Sequence, residues 1–264
     1  KGRSIRNLIQ IDQDDKVRAV LSVDKNDFAS AEFKNTHFIF SVTKNGTVKK
    51  TPLMDYSRPR VDGIRAQNIE EGDQLLDVRM TDGNVDIILA SSAGYAVRFE
   101  EHRVRPMGRT ATGVRGISLA EGEAVVGMIA VTDPNMMILT VSAHGYGKRS
   151  PVEEYRLTNR GGKGVTALKA TERTGPLVAV RGVTDEDDLV IATINGLLIR
   201  ISASTIRETG RTAGGVKLLT LKEGDAIADV SRVVKEEEEN GLGGDGAVAE
   251  ENGSEPSDGA SEVV

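Results

Sequence analysis

Residues 87–131 read IILASSAGYAVRFEEHRVRPMGRTATGVRGISLAEGEAVVGMIAV. An apolar run leads to a small turn at Ala93-Gly94, and a second run ends in Arg98. A basic loop follows, then a Gly-Val-Arg-Gly-Ile segment, an Ala-Glu-Gly-Glu turn and a last apolar run. Short runs rich in β-branched residues and punctuated by glycine turns predict four strands of a small antiparallel sheet.

The unit recurs. Aligned on its turn glycine, the copies fall at Gly46 (TKNGTVKKT), Gly94 (SSAGYAVRF), Gly145 (SAHGYGKRS) and Gly196 (TINGLLIRI), in steps of 48, 51 and 51 residues. A second glycine follows at Gly63, Gly113, Gly164 and Gly215, 17 residues after the first in one copy and 19 in the others. A four-stranded repeat of about 50 residues has the period of a propeller blade. The expected fold class is therefore all-β, a propeller-like disc of four-stranded blades spanning residues 1–234. Complete blades are expected at about 38–80, 85–131, 136–183 and 189–233. Residues 1–23 match only the second half of the unit, with Gly2 at the phase of Gly113 and Leu8 at that of Leu119, and predict a partial first blade. Asp24 to Thr36 read as a polar insertion. Asn45-Gly46, between alternating strands, is a strong hairpin signal because both turn positions favour positive φ.

Composition narrows the possibilities. The 264 residues suffice for one large β body, and with 3% aromatics and no Trp its core must rest on Val, Ile, Leu and Ala. The absence of cysteine excludes a disulfide framework and thiolate metal sites. No run of about 18 apolar residues and no opening signal peptide occur, which predicts a soluble protein. Because the chain starts Lys1-Gly2-Arg3 without Met, it reads as cut from something longer. The net charge of -6 hides a division: Lys235 to Val264 hold ten acidic residues and one Lys, leaving 33 basic and 30 acidic residues in the body. The tail reads as disordered, since it has almost nothing to bury. Tethered to a mildly basic body, it is expected to compete modestly with a polyanion, and deleting 235–264 is expected to tighten such binding at low salt.

Charges locked to the repeat carry the functional reading. Four residues after the hairpin glycine stand Lys50, Arg98, Arg149 and Arg200, basic in every copy. By chance this would occur roughly once in several thousand trials at a nominated position. A second set lies before the second glycine: Arg58, Arg60, Arg105, Arg109, Arg156, Arg160, Lys163, Arg207 and Arg211. A third lies just after it, at Arg65, Arg115 and Lys217, with Thr166 as the exception. Lys49 and Lys148, each beside a member of the first set, join the candidates. Residues at equal phase of a disc lie on one ring, so these sets predict a basic band suited to ordered phosphates along a curved path.

Other patterns do not add up to chemistry. The acidic turns Glu71-Gly72-Asp73, Glu121-Gly122-Glu123 and Glu223-Gly224-Asp225 repeat at one phase and read as turn chemistry. The histidines His37, His102 and His144 have neither ligand spacing nor a nucleophile partner. No catalytic or metal site is expected.

The strings GTVKKTPL, GYAVRFEEHRVRPMGRTATGVRGISLAEGE and GYGKRSPVEEY closely resemble the C-terminal domain of the A subunit of DNA gyrase, from Lys1 to about Val233. The resemblance implies a six-bladed β-pinwheel with its own strand connectivity and duplex DNA wrapped on a basic perimeter. It further implies a non-catalytic part of an ATP-hydrolysing type II topoisomerase that introduces negative supercoils. The nucleophilic tyrosine would then lie upstream, so Tyr56, Tyr95, Tyr146 and Tyr155 are not catalytic. ATP and Mg2+ would belong to the gyrase B subunit, with no cofactor in this fragment. The implied partners are double-stranded DNA, the N-terminal breakage-reunion domain of the gyrase A subunit, and the gyrase B subunit in an A2B2 complex. The implied place is the bacterial cytoplasm at the nucleoid, without membrane contact. The family's Gln-Arg-Arg-Gly-Gly-Lys-Gly box is absent, while a related string runs Arg160-Gly161-Gly162-Lys163-Gly164. Rival readings are the C-terminal domain of the topoisomerase IV A subunit, or a protein-interaction propeller. WD and kelch signatures, which would support the latter, do not occur.

Overall fold

The computed structural model describes residues 16–58, 60 and 63–233. Each repeat opens with a hairpin. Strands β1 (Phe38–Thr43) and β2 (Thr47–Pro52) turn at Asn45-Gly46, and β4 (Asp86–Ser91) and β5 (Tyr95–Glu100) at Ala93-Gly94. Likewise β8 (Met137–Ser142) pairs with β9 (Tyr146–Pro151), and β12 (Asp188–Thr193) with β13 (Leu198–Ser202). The turn glycines have φ of 84–87°, a region that only glycine enters without steric cost. A 3-10 turn follows each hairpin, at Leu53–Tyr56, Glu101–Arg103, Val152–Glu154 and Ala203–Thr205. A long inner strand closes each repeat: β3 (Leu75–Thr81), β7 (Val125–Val131), β11 (Leu177–Val183) and β15 (Ile227–Val233). It pairs with the first strand of its own hairpin, with a register shift at the same phase in all four sheets.

The remaining strand of each unit departs from the expected contiguous blade. The two-residue strands β6 (Val114–Arg115), β10 (Val165–Thr166) and β14 (Val216–Lys217) each leave their own repeat and pair with the hairpin of the preceding one. Sheet orders are therefore β3-β1-β2-β6, β7-β4-β5-β10 and β11-β8-β9-β14, while the fourth sheet, β15-β12-β13, has three strands. The second glycine makes the exchange sterically possible. Gly164 has φ +84°, and a Cβ there would lie 2.0 Å from the Ala96 carbonyl oxygen of the sheet it enters.

Packing follows the same logic. The sheets stack in sequence, and three apolar cores fill the spaces between neighbours. Phe40, Val48, Leu89 and Phe99 belong to the first, Ile88, Ile138, Tyr155 and Leu168 to the second, and Leu139, Val141, Leu189 and Ile206 to the third. As the low aromatic content predicts, these cores are mostly aliphatic. The inner strands line a central cavity of about 890 Å3. The acidic turns are structural where they end in Asp: the Asp73 carboxylate accepts the Asn45 amide of the hairpin turn at 2.9 Å, and Asp225 accepts that of Asn195 at 3.2 Å.

The N-terminal part differs from the sequence reading. Asp24 to Thr36 form two short helices, α1 (Lys25–Ala29) and α2 (Ala31–Thr36), capped by Asp24 and Ser30. Residues 16–23 of the expected partial blade carry no regular structure, since no described hairpin precedes them to pair with, and Val20 stays 78% exposed. Residues 1–15 of that blade and the acidic tail lie outside the described residues.

Candidate nucleic-acid interface

The 18 candidate cations fall into three groups once their surroundings are known. The first group is interior. Lys49, Lys50, Lys148 and Arg149 are between 0% and 6% exposed, which corrects the expectation that they form part of a perimeter band. Their strands are covered on both faces, so each head group must find polar partners inside. Lys50 pairs with Glu101 at 3.0 Å, and Glu101 also accepts from Thr81 at 2.6 Å. The Arg149 guanidinium donates to the Ile206 carbonyl at 2.8 Å and pairs with Asp185.

Arg98 occupies the same phase and behaves alike. It bonds Asp86 through Nε and Nη2 at 2.9 and 2.6 Å, and reaches the Val152 and Tyr155 carbonyls at 3.0 and 3.3 Å. In each case the cation crosses from one sheet to the 3-10 turn region of the next repeat. The main chain reinforces the link, because the carbonyls of Lys50, Arg98 and Arg149 accept the amides of Met107, Thr158 and Thr209 at 2.8–2.9 Å. The basic phase first read as a ligand-binding ring is an inter-blade latch. Arg200, the fourth member, pairs among the described residues across its own hairpin, with Asp188 at 2.6 Å, and its side chain is 60% exposed.

A second set of cations holds the connecting loops. Arg109, Arg160 and Arg211 are half-buried, and each guanidinium donates to the main chain of the preceding repeat, at the Arg65, Arg115 and Thr166 carbonyls (3.1, 3.0 and 2.5 Å). Arg160 and Arg211 add bonds to the Arg103 and Glu154 carbonyls, both at 3.1 Å. Sequence reasoning missed this clamp, although the 51-residue steps from Arg109 to Arg160 to Arg211 were visible. In the box-like string, the Gly161 amide bonds the Gly116 carbonyl at 2.6 Å and the Ser118 amide bonds the Gly162 carbonyl at 3.0 Å. Lys163 lies over the Tyr95 ring, 4.2 Å from its centroid.

The third group faces solvent: Arg58, Arg60, Arg65, Arg105, Arg115, Arg156, Lys163, Arg207 and Lys217 are all exposed. Within it, Arg105, Arg156 and Arg207 share one phase just beyond the 3-10 turns, and Arg115 and Lys217 sit on the exchanged strands. The exchange therefore places the cations of one repeat on the edge of the neighbouring sheet. No cluster of three or more metal-binding side chains occurs among the described residues, and no described helix is long and apolar enough to cross a membrane.

A disc of blades that trade a strand with their neighbours, rimmed by exposed cations, defines the β-pinwheel class. Four segments, residues 37–82, 86–132, 137–183 and 187–233, match the family described as DNA gyrase C-terminal domain, beta-propeller, and the chain belongs to that family. It is 41% identical over 239 residues to the DNA gyrase A subunit of Staphylococcus epidermidis and 39% identical over 240 residues to that of Staphylococcus aureus. Each alignment covers 90% of this chain but only 26% of the relative, so the chain spans about a quarter of those proteins. Among solved structures, the C-terminal domain of DNA topoisomerase IV superposes with a TM-score of 0.80 at 28% identity, over 88% of this chain and 71% of that one. The DNA gyrase A C-terminal domain superposes at 0.75 with 23% identity, over 89% and 76%, a likeness of fold.

Proposed function

We propose that this domain binds duplex DNA along its rim and bends it. In an ATP-dependent type IIA topoisomerase this would present the continuing duplex to the DNA gate and permit negative supercoiling. The observation that carries the reading is the exposed, phase-related cations Arg105, Arg156 and Arg207, with Arg65, Arg115 and Lys217 beside them, in a member of the gyrase family. Cations at equal angular steps neutralise phosphates along an arc, and counterion release offsets the cost of bending without reading base identity. On this reading the domain works beside the breakage-reunion domain of the gyrase A subunit, in an A2B2 complex in the bacterial cytoplasm. The gyrase B subunit then supplies the ATP and Mg2+ chemistry.

The test is binding to a linear duplex across a salt series, together with ligation of a nicked circle in its presence. A variant carrying Gln at Arg65, Arg105, Arg115, Arg156, Arg207 and Lys217 is expected to lose about 0.9 in the salt slope for each phosphate contact removed. The parent is expected to shift the linking number of the ligated circle in the positive sense. A parent that binds without that shift does not wrap, and one whose salt slope is unchanged by the six substitutions contacts DNA elsewhere. The likeness to the topoisomerase IV domain favours a second reading, as the corresponding domain of that enzyme; a full family box in sequence preceding Lys1, were such sequence found, would decide for gyrase.

A further inference from the structure

Two lysines outside the latch are buried beneath the rim. Lys49, on β2, donates through Nζ to the carbonyls of Ala66 and Arg109, both at 2.5 Å. Lys148, at the same phase of β9, donates to the carbonyls of Gly210 and Ala213 at 3.1 and 2.9 Å and to that of Arg211. No carboxylate is among these partners. An ammonium buried without a bonded counter-charge is costly unless each of its donors finds an acceptor, and here the acceptors are main-chain carbonyls of the basic loops. In the other two sheets Val97 and Ile199 stand at this phase; the loop over Val97 keeps the arginine clamp that Arg109 and Arg211 also supply and adds the bond from the Gly161 amide to the Gly116 carbonyl.

We propose that Lys49 and Lys148 are positioning residues of the rim: Lys148 gathers three carbonyls of the loop of the following repeat, Lys49 ties the Arg109 carbonyl of the following repeat to the Ala66 carbonyl of its own, and each so fixes where the exposed Arg207 or Arg105 stands. This rests on the DNA-binding reading for its functional consequence, while the loop-holding role stands on geometry. Burial lowers both lysines from 10.5 to about 8, with Asp55 and Arg109 facing Lys49 and Glu154 and Arg211 facing Lys148. A neutral amine has two N–H donors against three in the ammonium, so deprotonation leaves one of the three carbonyls at Lys148 without its partner. The proton linkage runs against that loss, for loop opening as for global unfolding. Between pH 8 and 10.5 the unfolded chain keeps protons that the folded chain has released, so these two groups make stability rise with pH through that window.

The test compares the whole chain with a K49M/K148M variant, reading affinity for a linear duplex and hydrogen exchange of the loops. The variant is expected to bind roughly fivefold more weakly at pH 7 with a nearly unchanged salt slope, as lost positioning requires. Exchange is expected to quicken across 104–112 and 207–216 but not across 156–164. An Arg105→Gln/Arg207→Gln variant should show the converse, a shallower salt slope with exchange unaltered. Equal exchange in parent and K49M/K148M overturns the proposal. A parent that binds no DNA overturns the wrapping reading alone, because exchange still decides the positioning role. Should K49M/K148M fail to fold, the parent decides: between pH 7 and 9, corrected for intrinsic rates, exchange across 207–216 should slow relative to 156–164, because opening the loop restores to Lys148 the proton affinity that burial took away, and a uniform response overturns the proposal.

Discussion

The third and fourth sheets are built from hairpins of the same phase, yet their outer edges differ. On the third, Val216 and Lys217 of the following repeat cover Gly147 and Tyr146, and Arg149 is 6% exposed with its guanidinium on the next repeat. On the fourth, no described strand covers β13, Ile194, Leu197 and Leu198 are 61%, 46% and 67% exposed, and among the described residues Arg200 keeps its own hairpin partner alone. The same cation at the same phase is a buried latch in one place and a surface ion pair in the other. Its role is set by whether a following repeat supplies acceptors.

The largest effect expected from that contrast is at the first sheet. Lys50→Met leaves the Glu101 carboxylate, 0% exposed, without its cation and should cost about 3 to 5 kcal/mol. Arg200→Met, at the open end, should change stability by less than about 0.5 kcal/mol. Denaturant midpoints at a shared m-value measure both, and comparable losses would break the distinction between latch and surface pair.

The glycines give a smaller contrast of the same kind. Gly164→Ala meets both a φ of +84° and the Ala96 carbonyl at 2.0 Å, so the exchanged strand must move away, at a cost of about 2 to 4 kcal/mol. Gly63 has φ +77° but nothing within 4 Å of an added Cβ, so Gly63→Ala should cost about 1 kcal/mol, from backbone strain alone. Equal costs at both positions would mean that close approach to the acceptor sheet contributes nothing.

These contrasts explain what could be read from sequence. The repeat, its hairpin glycines and the inner strands were legible because period-2 apolar runs and Asn45-Gly46 are local signals. The strand exchange was not. Val114 pairs with Val48, 66 residues earlier in the chain, and a strand of two residues has no periodicity to detect. Phase-locking of Lys50, Arg98, Arg149 and Arg200 was also legible, but a cation repeated at one phase serves a neighbouring blade as well as an external phosphate, and only burial separates the two. One partial signal was present: Asp86 and Asp188 each precede Arg98 and Arg200 by 12 residues, the spacing of a pair across the hairpin. Arg105, Arg156 and Arg207, expected as DNA contacts, are exposed, each directly after a buried residue, Val104, Tyr155 or Ile206, that anchors the end of the 3-10 turn.

The smallest expected effect tests the open edge itself. Leu198 on β13 is 67% exposed and its strand partner among the described residues is Ala192, so its side chain contributes little apolar burial. Leu198→Lys should therefore shift stability by no more than about 0.5 kcal/mol, and a lysine on an edge that no described strand covers should reduce concentration-dependent self-association. The matching change at the covered edge, Ala96→Lys, would place an ammonium at a position 0% exposed beneath β10 and should be far more costly, which makes the pair an internal control. Unfolding midpoints and sedimentation at two protein concentrations read both quantities. A loss above about 1.5 kcal/mol for Leu198→Lys would mean that β13 is covered in solution, because a side chain facing water has no such burial to lose.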